Sequence, residues 1–151
     1  MNQEKDYREF FALLNGEKVK YLIVGAYAMG FHGVPRFTGD IDILVEPSAK
    51  NAGSLMKVLD KFGFENTGIE ISDFMKPDFI LQLGYPPVRI DLLTGIDGVS
   101  FAGAWKNRLE GKYGKQTVRY LSKSDLMKNK SASGRQKDIL DLDALRAMKR
   151  S

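Results

Sequence analysis

Asp40 and Asp42 stand two residues apart in the run Asp40-Ile41-Asp42-Ile43. In an extended strand such residues share a face, so both carboxylates project together while Ile41 and Ile43 turn to the opposite side. Carboxylates held so close repel unless a cation sits between them, and a hard divalent cation with oxygen ligands is the usual solution. An isolated Asp-x-Asp is more often a solvated pair on an edge strand or in a turn. The neighbouring residues change that balance. Upstream, Tyr21 to Val24 is an apolar run that breaks at Gly25-Ala26 into a short stretch of helical character. A helix N-terminus offers N–H groups and a positive dipole end to an anion such as phosphate. Arg36 and Thr38, between that turn and Asp40, bring a guanidinium and a hydroxyl to the same region. Downstream, Val88 to Leu93 reads as a second apolar strand with one acid, Asp91, inside it. Burying that charge is costly unless it is paired or bound to metal. Phosphate cradle, acid pair and third acid together form the residue set of two-metal phosphoryl or nucleotidyl transfer.

The order of these residues resembles a known family. Gly25-Ala26, thirteen intervening residues (27 to 39), Asp40-Ile41-Asp42-Ile43 and a later strand Asp91 are similar to the pattern of the DNA-polymerase-beta-type nucleotidyltransferase superfamily. The small bacterial members come nearest: minimal nucleotidyltransferases, lincosamide-type enzymes and the catalytic parts of toxin–antitoxin transferases. A second segment, Leu121 to Leu126 followed by Lys130 and Arg135-Gln136-Lys137-Asp138 with Asp141, resembles the C-terminal helices of those proteins. The resemblance spans roughly residues 18 to 145. It implies an α/β (α+β) fold, a palm-like mixed β-sheet with helices packed on it. It also implies Mg²⁺ or Mn²⁺ on Asp40, Asp42 and Asp91, and a nucleoside triphosphate held by Gly25, Ala26, Arg36, Thr38, Lys130 and Lys137. The implied reaction moves a nucleoside monophosphate, AMP foremost, to an acceptor hydroxyl and releases pyrophosphate. The acceptor stays open: a small molecule, a hydroxyl of a partner protein, or an RNA end.

One residue departs from the pattern. The family carries Gly or Ser after the first glycine, and the Ser hydroxyl helps hold the triphosphate; this chain has Ala26. A backbone cradle survives a methyl group, but a hydroxyl contact is lost. The alternative reading is therefore a weak or inactive nucleotidyltransferase-fold binding or antitoxin-like module. A third reading, a nucleic-acid-binding domain, would show strongly salt-dependent binding that survives loss of the acids.

Bulk properties exclude several classes. A chain of 151 residues is expected to form one domain over 1–151, with a core at about 18–110 and a C-terminal strand and helical segment at about 115–151. It has no cysteine, which removes disulfides, thiolate metal sites and cysteine nucleophiles. No apolar run reaches about 18 residues, so no membrane span is expected. The N-terminus lacks the basic-then-apolar character of a signal peptide, and a cytoplasmic location follows. So short a chain leaves little room for an acceptor domain, so a second copy or a partner chain is expected to complete the pocket. The net charge of +4 is uneven, with Lys123, Lys128, Lys130, Arg135 and Lys137 crowding one segment. That run is either a solvated helix face or an electropositive wall for phosphates or nucleic acid.

The elements needed to position these residues follow from periodicity and breakers. Helices are expected at 4–14, 26–32, 49–62 and 101–109. Strands are expected at 19–24, 40–46, 65–71, 78–83, 88–93 and 115–121. Ser122 or Ser124 is placed to cap a helix that Gly134 ends. A last helix should follow with Ile139, Leu140, Leu142, Leu145 and Met148 as its apolar positions. His32, the sole histidine, is expected to fix the turn after the first cradle helix rather than act as a base. Trp105, Tyr27 and Phe31 read as packing, Asp73 and Asp97 as solvated loop acids, and Lys137-Asp138 as an intrahelical surface pair or, by the resemblance, part of the site floor.

Overall fold

Tyr21-Leu22-Ile23-Val24 is apolar at every position, and it becomes a strand buried on both faces. The computed structural model describes residues 3–64 and 68–148. In chain order the elements are α1 (Gln3–Gly16), β1 (Tyr21–Val24), α2 (Gly25–Phe31), β2 (Asp40–Val45), α3 (Ala49–Lys61), a 3₁₀ turn (Ile71–Met75), β3 (Ile80–Leu83), β4 (Arg89–Leu93), α4 (Phe101–Lys106), β5 (Leu109–Tyr113), β6 (Gln116–Tyr120), α5 (Lys123–Ser133) and α6 (Gln136–Ala147). The strands form one mixed sheet in the order β3-β4-β2-β1-β6-β5. β2 runs antiparallel to β1 and parallel to β4, and β1 runs parallel to β6. This is the mixed α/β architecture expected.

The apolar stripe of α1 (Tyr7, Phe10, Phe11, Leu14) and that of α3 (Ala52, Leu55, Val58, Leu59) are buried in one core with Ile41 and Ile43 of β2. Because β2 alternates, those two isoleucines are buried while Asp40 and Asp42 stay partly exposed on the other face. Local signals set the helix starts. Ser48 accepts from the Asn51 N–H at the head of α3, and Ser122, not Ser124, accepts from the Asp125 N–H at the head of α5. Gly134, at φ +62°, closes α5 in the left-handed region that favours glycine. Among the described residues no helix is long and apolar enough to cross a membrane.

Three expectations need correcting. The expected strand at 65–71 falls partly on residues 65–67, outside the described set; residues 68–70 form no strand, and Ile71–Met75 is a 3₁₀ turn. Glu70 and Asp73 cap that turn reciprocally, a local bonding pattern that competes with strand pairing. Asp73 also bonds Lys76, so it is not a free loop acid. Second, the helix expected over 101–109 stops at Lys106, and Leu109–Tyr113 forms β5, hairpinned to β6. Gly114, at φ +60°, opens the two-residue turn as a type II′ hairpin requires. Third, α6 keeps only Leu142 and Leu145 of its expected stripe buried. Asp138, Asp141, Leu142 and Leu145 face inward, leaving Ile139 and Leu140 at 50% and 64% exposure. The i, i+3, i+4, i+7 spacing holds, but two of the four inward positions carry charge.

Candidate active site

Strand register decides which acids meet. The parallel pairing of β2 with β4 sets Asp42 beside Asp91 and Asp40 beside Arg89. Neighbours in register share a face of the sheet, so four charged side chains gather on about one strand spacing, near 4.8 Å. Asp40, Asp42 and Asp91 each bring a carboxylate oxygen within 4.8 Å of the others. These are the three acids that the sequence nominated. Asp91 is buried, and Asp40 and Asp42 are partly exposed.

Sequence reasoning missed the fourth member, Arg89. Its Nε donates to Asp91 Oδ1 at 2.9 Å, and its Nη2 donates to Asp91 Oδ2 at 3.0 Å and to Asp40 Oδ2 at 2.7 Å. The signal was available, because Arg89 and Asp91 lie two apart on one strand and must share a face. Tyr7 of α1 donates to the Arg89 carbonyl at 2.9 Å, which fixes that end of β4. Thr38 donates to Asp40 Oδ1 at 2.6 Å, as expected of a residue placed beside the acids. Asp42 receives none of these bonds. Its pKa is pushed up to about 7, first by burial and then by the charges of Asp40 and Asp91, with Arg89 opposing.

Gly25 explains how the chain comes so close to Asp42. Its φ of +66° lies in the left-handed region, and a Cβ there would overlap the Asp42 carboxylate, with Asp42 Cβ and Cγ each 3.2 Å away. The glycine thus serves both the turn into α2 and the room for the acid.

A cavity of about 610 Å³ opens over this face, lined by Gly25, Ala26, Arg36, Thr38, Asp40, Asp42, Lys130 and Lys137 among others. Eight of the nine nominated residues thus meet in one space. Asp91 lies behind them, bridged to Asp40 through Arg89. Two of the cations that line it, Lys130 and Arg36, are already engaged. Lys130, buried, lies 2.9 Å from Asp141 and 3.5 Å from Asp138, and Arg36 bonds Asp141 at 2.5 Å. Asp141 therefore ties the α2–β2 loop to α5. Burial pushes Asp141 up, but Arg36 and Lys130 outweigh it and hold the carboxyl below the usual range. Arg135 holds the Asp138 carboxyl well below that range against the opposing effect of burial, helped by Ser133 and Lys130. Asp138 is fully buried and pairs with Arg135 and Lys130 rather than with Lys137, so it is no surface pair.

The basic run thus divides. Lys130 and Lys137 face the cavity while the Lys128 side chain is exposed. Other nominated side chains take the packing roles expected. His32 Nε2 meets the Leu121 carbonyl at 2.8 Å and joins the end of α2 to the sheet. Trp105 stacks on Phe101 and lies under the Arg108 guanidinium at 4.0 Å. Asp97 lines the cavity rim, where its carbonyl accepts from Asn129.

No protein-family model and no curated protein sequence matches the chain. Solved structures do. A Thermotoga maritima protein provisionally assigned as a nucleotidyltransferase aligns with a TM-score of 0.58 and 16% identity, covering 93% of this chain and 88% of that one. An antigenic nucleotidyltransferase-like protein from Paracoccidioides brasiliensis aligns with a TM-score of 0.53 and 19% identity, covering 94% of this chain and 75% of that one. At these identities the likeness speaks to architecture, and by its sheet order, its helices and these structural relatives the chain has the nucleotidyltransferase fold.

Proposed function

We propose that this protein is a metal-dependent nucleotidyltransferase that moves a nucleoside monophosphate, AMP foremost, from a nucleoside triphosphate to an acceptor hydroxyl. The observation that carries the reading is the cluster of three carboxylates within 4.8 Å, two of which, Asp40 and Asp42, line a cavity together with Arg36, Lys130 and Lys137. The donor set suits Mg²⁺ or Mn²⁺: all ligands are hard oxygens, and Asp42 is pushed up to about 7 by burial and then by the charges of Asp40 and Asp91, which Arg89 only partly offsets. Asp40, Asp42 and Asp91 would hold the ions, which when bound supply charge stabilisation for the triphosphate and acidify the acceptor hydroxyl.

The chain's own residues do the rest by positioning and electrostatics. Gly25 and Ala26 let the backbone come close to the phosphates, with no side chain larger than a methyl in the way. Thr38, Arg36 and Lys130 bind the β- and γ-phosphates, and Lys137 lines the same wall. Asp141 keeps Arg36 and Lys130 extended toward that wall instead of folding into solvent. Asp91 completes the acid cluster and favours loss of the proton of the attacking hydroxyl. Arg89, bonded to both of its carboxylate oxygens, holds it in place. The α-phosphorus then gains the acceptor oxygen and loses the pyrophosphate oxygen in line.

A second reading has one observation behind it. Arg89 already bridges Asp40 and Asp91, and Ala26 supplies no hydroxyl, as would suit a binding module that no longer needs a cation. Isothermal titration with ATP separates the two. The enzyme binds ATP only with Mg²⁺ or Mn²⁺ and loses that binding in Asp42→Asn, whereas the module is indifferent to both. Incubation with labelled ATP, CTP, GTP and UTP and a cell lysate then shows which nucleotide is used and what becomes labelled.

A further inference from the structure

Every carboxylate oxygen of two of the three acids already has a donor. Arg89 Nε and Nη2 take the two oxygens of Asp91, and Nη2 also reaches Asp40 Oδ2. The other oxygen of Asp40 accepts from Thr38. Asp42 differs, because among the described residues no cation pairs with it.

Charge points the same way. With all three acids ionised the cluster carries three negative charges, and the guanidinium returns one, which leaves two. A guanidinium keeps its proton at any pH at which the protein is folded, so that contribution is fixed. Arg36 and Lys130 are paired with Asp141, and Arg135 with Asp138, so these cations do not discharge the cluster. One divalent ion neutralises the remaining two charges, whereas a second would leave the acids and arginine together with a net positive charge.

Geometry shows which place the arginine fills. A bidentate fork lies along the edge of a carboxylate, the edge from which a metal would also bind both oxygens. Asp91 is buried, and neither it nor Arg89 lines the cavity, whereas Asp40 and Asp42 do. The strand holds the arginine there: its N–H donates to the Gly39 carbonyl at 3.2 Å, and its carbonyl accepts from Tyr7 at 2.9 Å. From the cavity, Asp40 and Asp42 are open to an ion and Asp91 is closed off.

We infer that Arg89 stands in place of a second metal ion, so that the site takes one divalent ion on Asp40 and Asp42 and keeps a guanidinium on Asp91. The inference rests on the nucleotidyltransferase reading of the acid cluster and narrows it from two ions to one. The ion that grips the triphosphate is retained, and the cation beside Asp91 is built into the chain. Arg89 is in this sense a positioning residue that sets the metal count.

The test counts ions on the whole chain at pH 8. Mn²⁺ is titrated into the protein alone, and again with one equivalent of a triphosphate analogue whose α–β bridge is a methylene group. Free Mn²⁺ is read from its electron paramagnetic resonance signal, with uptake by the analogue itself subtracted. Wild type should bind one ion under both conditions. Arg89→Met should bind two, and Arg89→Met combined with Asp91→Asn should return to one, because the acid of the vacated place is gone. Ions of a two-metal site lie about 3.5–4 Å apart. Spins so close couple, so the bound-ion spectrum should show coupling in Arg89→Met and none in wild type.

Two coupled ions on wild type overturn the inference, since the arginine then yields its place to metal. A single ion on folded Arg89→Met also overturns it, because an arginine that merely braces the strands leaves the count unchanged when removed. Should Arg89→Met fail to fold, the wild-type count and spectrum decide alone. Both overturning results leave the nucleotidyltransferase reading standing. Uptake of no Mn²⁺ by wild type, with or without the analogue, sinks that reading itself.

Discussion

Asp42→Asn should make the metal-free protein more stable at neutral pH while abolishing its response to Mg²⁺. In the fold Asp42 has its pKa pushed up to about 7 from an ordinary 3.8, by burial and by Asp40 and Asp91. A raised carboxyl binds its proton more tightly folded than unfolded. Its contribution to stability is therefore complete below pH ~4 and is lost as pH rises through about 7. A shift of about three units corresponds to ~4 kcal/mol at most, since one unit is ~1.4 kcal/mol. Relaxation and nearby water reduce this, and ~2–4 kcal/mol is the working range. For a chain of this length that moves Tm by roughly 5–15 °C. Thermal unfolding of wild type and Asp42→Asn, in EDTA from pH 4 to pH 8.5, measures it directly. The two curves should coincide near pH 4 and diverge steadily, with the Asn variant ahead at pH 8. Adding Mg²⁺ at pH 8 should then raise the wild type alone, by ~2.7 kcal/mol at a hundredfold excess over Kd. A wild-type Tm that is flat across the pH range, or an Asn variant less stable at pH 8, would refute the account of Asp42 as a buried, crowded acid that awaits a cation.

Other outcomes can be checked with the same assays. Gly25→Ala should cost ~1–2 kcal/mol for the left-handed backbone alone; because its Cβ would overlap the Asp42 carboxylate, Mg-ATP affinity should fall at least tenfold, and a wild-type Kd by calorimetry would show that Asp42 tolerates displacement. Asp91→Asn should lose turnover with ATP affinity largely kept, measured by pyrophosphate release against calorimetry; an affinity loss equal to that of Asp42→Asn contradicts separate roles for the two acids. Ala26→Ser should tighten triphosphate binding by up to ~1.5–3 kcal/mol if the hydroxyl reaches a phosphate, and an unchanged Kd would mean that this position does not touch it. Arg89→Met should lower Tm in EDTA near neutral pH, because Asp40 and Asp91 lose their shared counter-ion, and Mg²⁺ should restore most of the loss. A variant that is neutral in EDTA would show that Arg89 does not offset the repulsion between the acids.

Much of the site was legible in the residues because it is built from short-range rules. Two acids at i and i+2 must share a face of any strand, and a glycine at the end of an apolar run must turn. Asp40, Asp42 and Gly25 follow from that alone. The same rule could have found Arg89 beside Asp91, since the pair is local. Register, by contrast, is a non-local property. That β2 pairs in parallel with β4, so that Asp42 meets Asp91 and Asp40 meets Arg89, depends on residues about fifty positions apart finding one alignment.

The inward face of α6 shows the same limit. Its sequence offers Ile139 and Leu140 beside Leu142 and Leu145 as core residues, yet Asp138 and Asp141 take the buried places of the first two. Hydrophobic periodicity assumes that a helix turns its most apolar stripe inward. Here the inward surface is set by Lys130 on α5 and Arg36 on the α2–β2 loop, and the buried Lys130 left without a carboxylate would cost more than two exposed aliphatic side chains. β5 was lost to the reading because Gly111 and its flanking charges give a weak strand signal, and pairing along β6 supplies what propensity does not. The sequence by itself determined which chemistry the chain can carry, since residue type and i, i+2 spacing are local facts. Tertiary structure decided which charges face one another, because only long-range pairing brings β4 to β2 and α6 to Arg36.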